Sequence, residues 1–528
     1  MIRLISVALL LFTAVLAELT ISQQTDPNFP DKIQSDRYLT NNKRLFKAYK
    51  DRLMIVLLKC QGLISANLYI NGHMIPLNPN KPDQNFNMEV NITEYLKDGN
   101  DNTFSIQNIQ PSTAKIQANV PYPTLVHGKP EEVGISPKLL KVVEDLITSE
   151  VKQGFPGAAL IIIKNGKIVK QDAYGYARKY TDTGKPMDKF QDLKNDTLFD
   201  MASNTKMFSA IFSLMNLRYK EKLDYTRTLH SYIKDYKGKD SKGHDREKID
   251  VIDVLTHIAG YQSTYSFYVK SVGCYSRDKH TTAKCIYENV DLVRAKGGAP
   301  VYSDIDYILA GLLVENIASM NLSEYARENI YKPLGLKRTT YSPLKHGFVK
   351  TDAAATEILG NTRNGTITFP DVRKIVIQGE VHDEVSYYSM NETSGHAGLF
   401  STTGDMAVLT QVLLNKGGYG DIKLWDKETQ DLFVKPYDLD LTYGIGWRRQ
   451  ANEDCTWHFG AYASNEAIGH TGWTGTVTVI DPKYDLSIIL LTNMRHSLFI
   501  NGRFIADVFE TGIYGSIINL IYESFLNA

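Results

Sequence analysis

Cysteine is scarce in this sequence: four residues in 528, with no Cys-x-x-Cys among them. So sparse a set argues against a thiolate zinc site and against a disulfide framework holding a small core together. Cys274 and Cys285, eleven apart in a polar loop, are candidates for one bridge, and Cys60 and Cys455 have no assigned partner. Charge of one sign is lacking too. Fifty-nine Lys and Arg balance fifty-nine Asp and Glu, for a formal net charge of zero, so the chain has no basic footprint for nucleic acid. The Lys-rich run 234–248 also holds Asp235, Asp240, Asp245 and Glu247, and reads as a solvated loop. Apolar runs long enough to cross a bilayer are missing. Arg3 precedes one from Leu4 to Leu16, with Val15 and Ala17 at the small-residue positions of a signal-peptidase site. It is short for a membrane span and reads as a cleaved secretory leader, residues 1–17, which places the mature chain in a secreted or periplasmic setting with no membrane span. The run Gly512–Leu526 is interrupted by Ser516 and Glu523 and predicts an amphipathic closing helix.

What is present is a soluble composition, 43% hydrophobic and 22% charged, on a chain too long for one ordinary core. Two domains are expected. Between Leu53 and Val120, short apolar or alternating runs are punctuated by Asn71-Gly72 and Asp98-Gly99-Asn100, the signature of a small β-sandwich. Residues 18–120 are therefore an accessory domain and 121–135 a linker. A single α+β domain, 136–528, follows. It opens with Ser136-Pro137, a helix cap with proline at the first position. Next come a buried strand, Pro156–Ile163, a turn at Asn165-Gly166, and a second strand. Near the other end Gly444–Trp447, Ile468–His470, Thr474–Ile480 and Leu486–Leu491 read as antiparallel strands. Helices between strands at both ends predict a sheet that joins the two ends of the domain.

Chemistry points first to Asp200-Met201-Ala202-Ser203-Asn204-Thr205-Lys206. Serine and lysine three apart share a helix face, and a lysine beside a serine can hold its hydroxyl and lower the cost of its alkoxide. The spacing alone is weak. Five further Ser-x-x-Lys pairs occur, at Ser112, Ser149, Ser231, Ser276 and Ser342, where chance gives roughly two. Ser203 is set apart by the amphipathic pattern that follows it, Met207, Ile211, Leu214, Met215, Leu217, which puts the serine at a helix N-terminus. The run Asp253–Gly260 predicts a short helix closed by glycine, with His257 in a packing or loop hydrogen-bonding role.

Downstream, Tyr302-Ser303-Asp304 precedes an apolar helix, and His470-Thr471-Gly472 sits in a strand. With Ser203-Asn204-Thr205-Lys206 these resemble, in order, the three active-site elements of the serine β-lactamase and penicillin-binding-protein superfamily, on the class C β-lactamase and D-Ala-D-Ala carboxypeptidase B branch. Gly395–Ser401 and Gly469–Thr476 are similar to family strings. Ala354–Glu357, Gly360–Arg363 and Gln378–Glu384 resemble the bacterial periplasmic D-Ala-D-Ala carboxypeptidases of that branch. The stretch around Tyr69–Gly72 and Asn91–Asn100 resembles the jelly-roll accessory domains of glycoside hydrolases, which implies glycan contact through the N-terminal domain or a simple packing role.

The resemblance implies an α+β domain of the β-lactamase/transpeptidase type, an antiparallel sheet flanked by helices, and a reaction without cofactor or metal. Ser203 is the implied nucleophile, Lys206 its activator and Tyr302 the general base. The Ser203 and Trp473 N–H groups form the implied oxyanion hole, and His470, Thr471, Gly472 and Asp304 line the substrate site. Asp304 stands where the branch often has asparagine. A carboxylate cannot donate an amide N–H, so pairing with Lys206 is expected instead. His470 stands where many relatives have lysine, and is expected to be partly charged near neutral pH. Lys206 and His470 are then the cations available to a Tyr302 phenolate. The expected function is a secreted serine hydrolase acting as a D-Ala-D-Ala carboxypeptidase-like peptidase on small or peptidoglycan-derived peptides. The alternatives are an esterase or β-lactam hydrolase at the same site, and a non-catalytic glycan- or peptide-binding protein.

Overall fold

The computed structural model describes residues 18–20, 43–451 and 455–527; the expected leader, 1–17, lies outside the described residues. The chain divides into two compact units, one within Met1–Leu125 with Asn415–Asp426, the other Val126–Leu414 with Lys427–Ala528.

Among the described residues the first unit has, besides a small hairpin of Gly418–Tyr419 with Ile422–Lys423, the strands β1 (Glu18–Thr20), β2 (Arg44–Ala48), β3 (Ile55–Gln61), β4 (Ser65–Ile70), β5 (His73–Leu77), β6 (Asn85–Asn91), β7 (Gly99–Gln110) and β8 (Lys115–Asn119). Strands β1 to β8 form two four-stranded antiparallel sheets, in the orders β1-β8-β3-β6 and β2-β7-β4-β5. Period-2 alternation turns Val56, Leu58 and Cys60 of one sheet toward Leu68, Ile70, Phe104 and Ile106 of the other, in one buried cluster. The β4–β5 turn has φ of 52° at Asn71 and 87° at Gly72, the left-handed pair that a two-residue hairpin requires.

The second unit is built on β9 (Val126–His127), β10 (Gly157–Lys164), β11 (Lys167–Tyr180), β12 (Pro186–Asp192), β13 (Phe199–Asp200), β14 (Thr340–Tyr341), β15 (Leu399–Ser401), β16 (Arg448–Arg449), β17 (Ile468–Gly472), β18 (Thr476–Asp481) and β19 (Leu486–Thr492). Its main sheet runs β12-β11-β10-β19-β18-β17-β16, antiparallel throughout, with β9 parallel beside β11. The expected closure of the domain is seen in the β10–β19 register, Leu160 opposite Leu490. Residues Gly157–Ile163 of β10 are buried on both faces. Leu160 and Ile162 pack on α1 (Pro137–Gln153) and a C-terminal helix, through Leu140, Val143, Ile147, Ile517, Ile518 and Ile521. The opposite face carries the helix Thr403–Leu414. Ser136 caps α1 as expected, accepting from the Leu139 N–H at 3.4 Å.

Several local expectations differ. Gly444–Trp447 is a turn, because Gly446 takes φ of 92° to pass a side chain, Ile211, that a Cβ would strike at 2.3 Å. The strand is the next two residues, β16. The helix expected over Asp253–Gly260 spans Val251–Leu255: the Asp250/Asp253 capping box starts it earlier, and His257, at φ of 61°, ends it. The closing helix is broken at Tyr514, φ 61°, into Glu510–Ile513 and Gly515–Leu526. Among the described residues no single helix is long and apolar enough to cross a membrane.

Candidate active site

A small sheet, β13-β15-β14, delivers the chain to the site. Beyond β13 the backbone turns sharply, with Ala202 at φ of 45°. The buried Asp200 carboxylate holds that turn. Its Oδ1 accepts from the Ala202 N–H at 2.8 Å, and its Oδ2 from the His382 N–H at 2.6 Å. Burial raises the Asp200 pKa above the usual carboxylate value, against those two backbone donors. Ser203 follows, half-buried, and Asn204 through Leu217 are all buried. The expected amphipathic helix is thus enclosed on every side. Its first part, Lys206–Ile211, is π-helical before α2 (Phe212–Tyr219) continues.

Lys206 is fully buried, and its three donors are all engaged. Nζ lies 2.9 Å from Ser203 Oγ, 2.8 Å from Asp304 Oδ1 and 3.3 Å from the His396 carbonyl. The Tyr302 hydroxyl donates to the same Ser203 Oγ at 2.8 Å, and Lys206 Nζ stands 4.7 Å from the Tyr302 ring centre. Burial alone would push the ammonium down. The Asp304 carboxylate more than offsets it, so the Lys206 pKa sits above the ordinary lysine value and the group is a fixed cation. Burial likewise raises the Tyr302 pKa, with Lys206 opposing and Asp304 reinforcing. At neutral pH the tyrosine is mainly a phenol.

Tyr302 and Asp304 flank the start of α3 (Asp304–Ala318). The Ser303 N–H between them donates to His257 Nδ1 at 3.1 Å, and the His257 and Tyr302 rings are 4.9 Å apart. Burial, followed by the nearby Lys206 charge, lowers the His257 pKa well below its ordinary value, and burial raises that of its partner Asp306, 3.1 Å away, well above the usual carboxylate value. His257 therefore props Tyr302 from behind through packing and a loop hydrogen bond.

His470, Thr471 and Gly472 end β17. A Cβ at Gly472 would lie 2.5 Å from the Met201 carbonyl, so only glycine lets this strand reach the nucleophile turn. The Thr476 hydroxyl donates to Met201 O at 3.1 Å and that of Thr474 to Asp200 O at 2.7 Å, stitching the two segments together. Trp473, between them, is held through its carbonyl, which accepts from Arg495 Nε at 2.7 Å. His470 departs from expectation. Burial, followed by the Lys206 charge, depresses its pKa to about 3. It is neutral near pH 7 and adds no cation for Tyr302 or for a substrate carboxylate. Its Nδ1 lies 2.6 Å from the Thr471 carbonyl, which assigns the proton to that nitrogen.

All eight residues expected at the site, Ser203, Lys206, Tyr302, Asp304, His470, Thr471, Gly472 and Trp473, come together around one cavity of about 580 Å³, where Lys206 lies sealed behind the lining surface. The cavity also holds residues that motif reasoning missed. Arg363 pairs with Glu357 and, at 2.9 Å, with Glu384. His382 Nε2 is 2.8 Å from Glu357, and Asp383 Oδ1 is 2.9 Å from His396 Nε2. These lie within or beside the strings 354–363 and 378–384, which therefore build a wall beside Trp473. The Trp473 ring has the Arg363 and Arg495 guanidiniums 4.7 and 4.3 Å from its centre. Arg448, on the two-residue strand β16, had no sequence signal at all.

The profile of the beta-lactamase family matches residues 143–508. A Bacillus subtilis (strain 168) protein named N-acetylmuramyl-L-alanine amidase is 44% identical over 432 residues, 80% of this chain and 97% of its own length. A protein of Salmonella schwarzengrund (strain CVM19633), provisionally named a D-alanyl-D-alanine carboxypeptidase, is 42% identical over 415 residues, 77% of this chain and 95% of its own. A solved penicillin-binding-protein homologue from Caulobacter crescentus shares the fold, with a TM-score of 0.52 at 18% identity over 74% of this chain and 99% of that one.

Proposed function

The chain belongs to the beta-lactamase family, and from that premise we propose that it is an exported serine hydrolase that forms an acyl-enzyme on Ser203 and cleaves amide bonds in peptidoglycan-derived peptides. The observation that carries this is Ser203 Oγ, held at once by the Lys206 ammonium at 2.9 Å and the Tyr302 hydroxyl at 2.8 Å on the cavity wall. In the active form Tyr302 is a phenolate and takes the serine proton as Oγ attacks the carbonyl carbon. The Ser203 and Trp473 N–H groups receive the developing oxyanion. Tyr302 then passes the proton to the leaving nitrogen as the C–N bond breaks, and water releases the acyl group by the reverse sequence.

The names of the two relatives differ in the bond cut but agree on the leaving group, an amino acid or peptide with a carboxylate. Arg448 supports that class. The proton carrier must stand beside the leaving group. Tyr302 packs near His470, with ring centres 6.0 Å apart, and Arg448 lies opposite Gly469 on the neighbouring strand. The test is to incubate the protein with a fluorescent penicillin, map the adduct, and compare hydrolysis of a D-Ala-D-Ala peptide, N-acetylmuramyl-L-alanine, nitrocefin and a p-nitrophenyl ester. An adduct away from Ser203, or turnover of the ester alone, would sink the reading.

The pKa directions give a pH prediction. A raised Tyr302 pKa means that the phenolate fraction, and with it kcat/KM, climbs up to tenfold per unit as pH rises toward that pKa. Asp304 is one of the groups raising it. Asp304→Asn should therefore lower the Tyr302 pKa and move the rising limb to lower pH, a gain in kcat/KM at fixed pH on that limb. A pH–rate profile checks this; a limb that stays in place or moves upward contradicts the base assignment.

A further inference from the structure

Strand β17 gives the cavity two ends. Arg448, assigned above to the leaving group, stands opposite Gly469. Gly472 is three residues further along, about 10 Å at the rise of a strand, and Trp473 follows it in the cavity wall. The leaving group and its proton carrier belong with Arg448, so the acyl part of the substrate extends toward Trp473. There it meets the wall that holds Arg363, His382, Asp383 and Glu384, which has no part in the reaction as written. The wall is tied to the nucleophile turn by Asp200, which accepts from the His382 N–H at 2.6 Å. A ligand seated on it is therefore held in fixed register with Ser203.

Asp383 and Glu384 each spend one carboxylate oxygen inside the protein. Asp383 Oδ1 accepts from the Ser386 N–H at 2.7 Å and lies 2.9 Å from His396 Nε2. Glu384 Oε1 accepts from Arg363 Nη2 at 2.9 Å. The other oxygens, Asp383 Oδ2 and Glu384 Oε2, accept from no described residue, and neither is buried. The two side chains are 29% and 16% exposed. Burial alone would raise the Asp383 pKa, but the charge and hydrogen bond of His396 more than offset it, so the group stays an ionised acceptor. Trp473 is 41% exposed, and its indole N–H is open and donates to no described residue. The wall thus offers two acceptor oxygens and one donor beside an apolar ring. A cation does not suit it, because Arg363 and His396 already balance the carboxylates and two guanidiniums stand against the Trp473 ring. An anion would face the two open carboxylate oxygens. A neutral group rich in hydroxyls fits: each hydroxyl can donate to a carboxylate oxygen and accept from an N–H, and the C–H face of its ring can cover the indole.

We infer that Asp383, Glu384 and Trp473 form an acyl-side subsite for a neutral saccharide, so that the amide preferred by Ser203 joins a carboxylic acid borne on a sugar to an amino acid or peptide. The subsite rests on the reading of Ser203 given above and names the acyl half of its substrate.

The test uses binding, so that it does not depend on turnover. Full-length Ser203→Ala protein is titrated calorimetrically with N-acetylmuramyl-L-alanine and with D-lactyl-L-alanine, which keeps the same amide and amino acid but lacks the sugar. The sugar-bearing ligand is expected to bind at least about tenfold more tightly. The advantage should fall below about threefold in Ser203→Ala/Glu384→Ala and in Ser203→Ala/Trp473→Leu. Glu384→Ala leaves Arg363 paired with Glu357, and Trp473→Leu keeps the backbone N–H. Both double variants should therefore keep the thermal midpoint and the affinity for D-lactyl-L-alanine, which separates lost recognition from lost fold. Equal affinity for the two ligands in Ser203→Ala, or an advantage kept in both double variants, overturns the subsite. Penicillin labelling of Ser203 in the unmodified protein reads the nucleophile independently. Labelling without a sugar preference removes the subsite and leaves the function; a sugar preference without labelling does the reverse.

Discussion

Alanine at Ser203 is expected to lower amide turnover by at least about 10³-fold, alanine at Lys206 by a similar factor, and the double variant by no more than the worse of the two. The three expectations share one cause. Ser203 Oγ accepts from Lys206 and from Tyr302, so proton transfer, attack and charge stabilisation form a unit that either loss disables. What the proposed mechanism leaves is the backbone oxyanion hole, whose donors need neither side chain; in other serine hydrolases that hole and binding together leave about 10³–10⁴-fold catalysis over water. The two variants should differ in stability. Ser203→Ala removes a half-buried hydroxyl and should leave the thermal midpoint nearly unchanged. Lys206→Ala strands the Asp304 carboxylate, whose side chain is 21% exposed, and breaking a buried pair costs about 3–5 kcal/mol, an upper bound for a partner that water reaches. Steady-state kinetics on both single variants and the double, alongside thermal melts, checks the set. A Lys206→Ala protein that kept a tenth of its activity while folded would show that the lysine is not the activator.

Which parts of this site could be read from sequence follows from what each part depends on. Ser203 and Lys206 were legible because the helical pattern that follows them set one Ser-x-x-Lys pair apart from five others, and Tyr302 and Asp304 because they immediately precede or begin an apolar helix. The sheet was legible because β10 and β19 are unbroken apolar runs of strand length. The charge state of His470 was not, since a pKa near 3 comes from burial and from Lys206, far away in the chain. The carboxylate clamp of Asp200 on His382 crosses 182 positions and leaves no periodic trace. The wall of Glu357, Arg363, His382 and Glu384 lies in or beside strings that resemblance had singled out, yet it is made mostly of loop and short-helix residues, whose geometry no periodicity encodes. Helix ends moved wherever a residue took a left-handed conformation, as at His257 and Tyr514, a choice made by packing rather than by propensity. Arg448 marks the limit: one arginine among many, on a strand of two residues.

On the proposed reading Arg448 meets the leaving-group carboxylate, and Arg448→Gln is expected to cost about 10²-fold in kcat/KM on a substrate whose leaving group carries a carboxylate. Truncating one partner of a hydrogen-bonded charge pair costs about 2–5 kcal/mol, and a half-buried, solvent-reached arginine belongs at the low end. On a p-nitrophenyl ester, which has no carboxylate to hold, the loss should stay within about threefold, since only binding energy specific to the charged substrate is removed. Stability should be unaffected, because Arg448 has no carboxylate partner among the described residues and its removal strands no acid. The same substitution at Arg363 would leave Glu357 and Glu384 uncompensated, and at Arg495 would leave Asp507 so, and both should lower the thermal midpoint. Arg448→Lys should fall between, because it keeps the charge but loses the planar fork that meets a carboxylate with two parallel hydrogen bonds. Equal losses on the charged and neutral substrates would mean that Arg448 supports the shape of the site rather than its selectivity. The carboxylate would then have to be met by other groups of the cavity, Thr471 among them, since His470, neutral in its buried place, offers no charge to meet it.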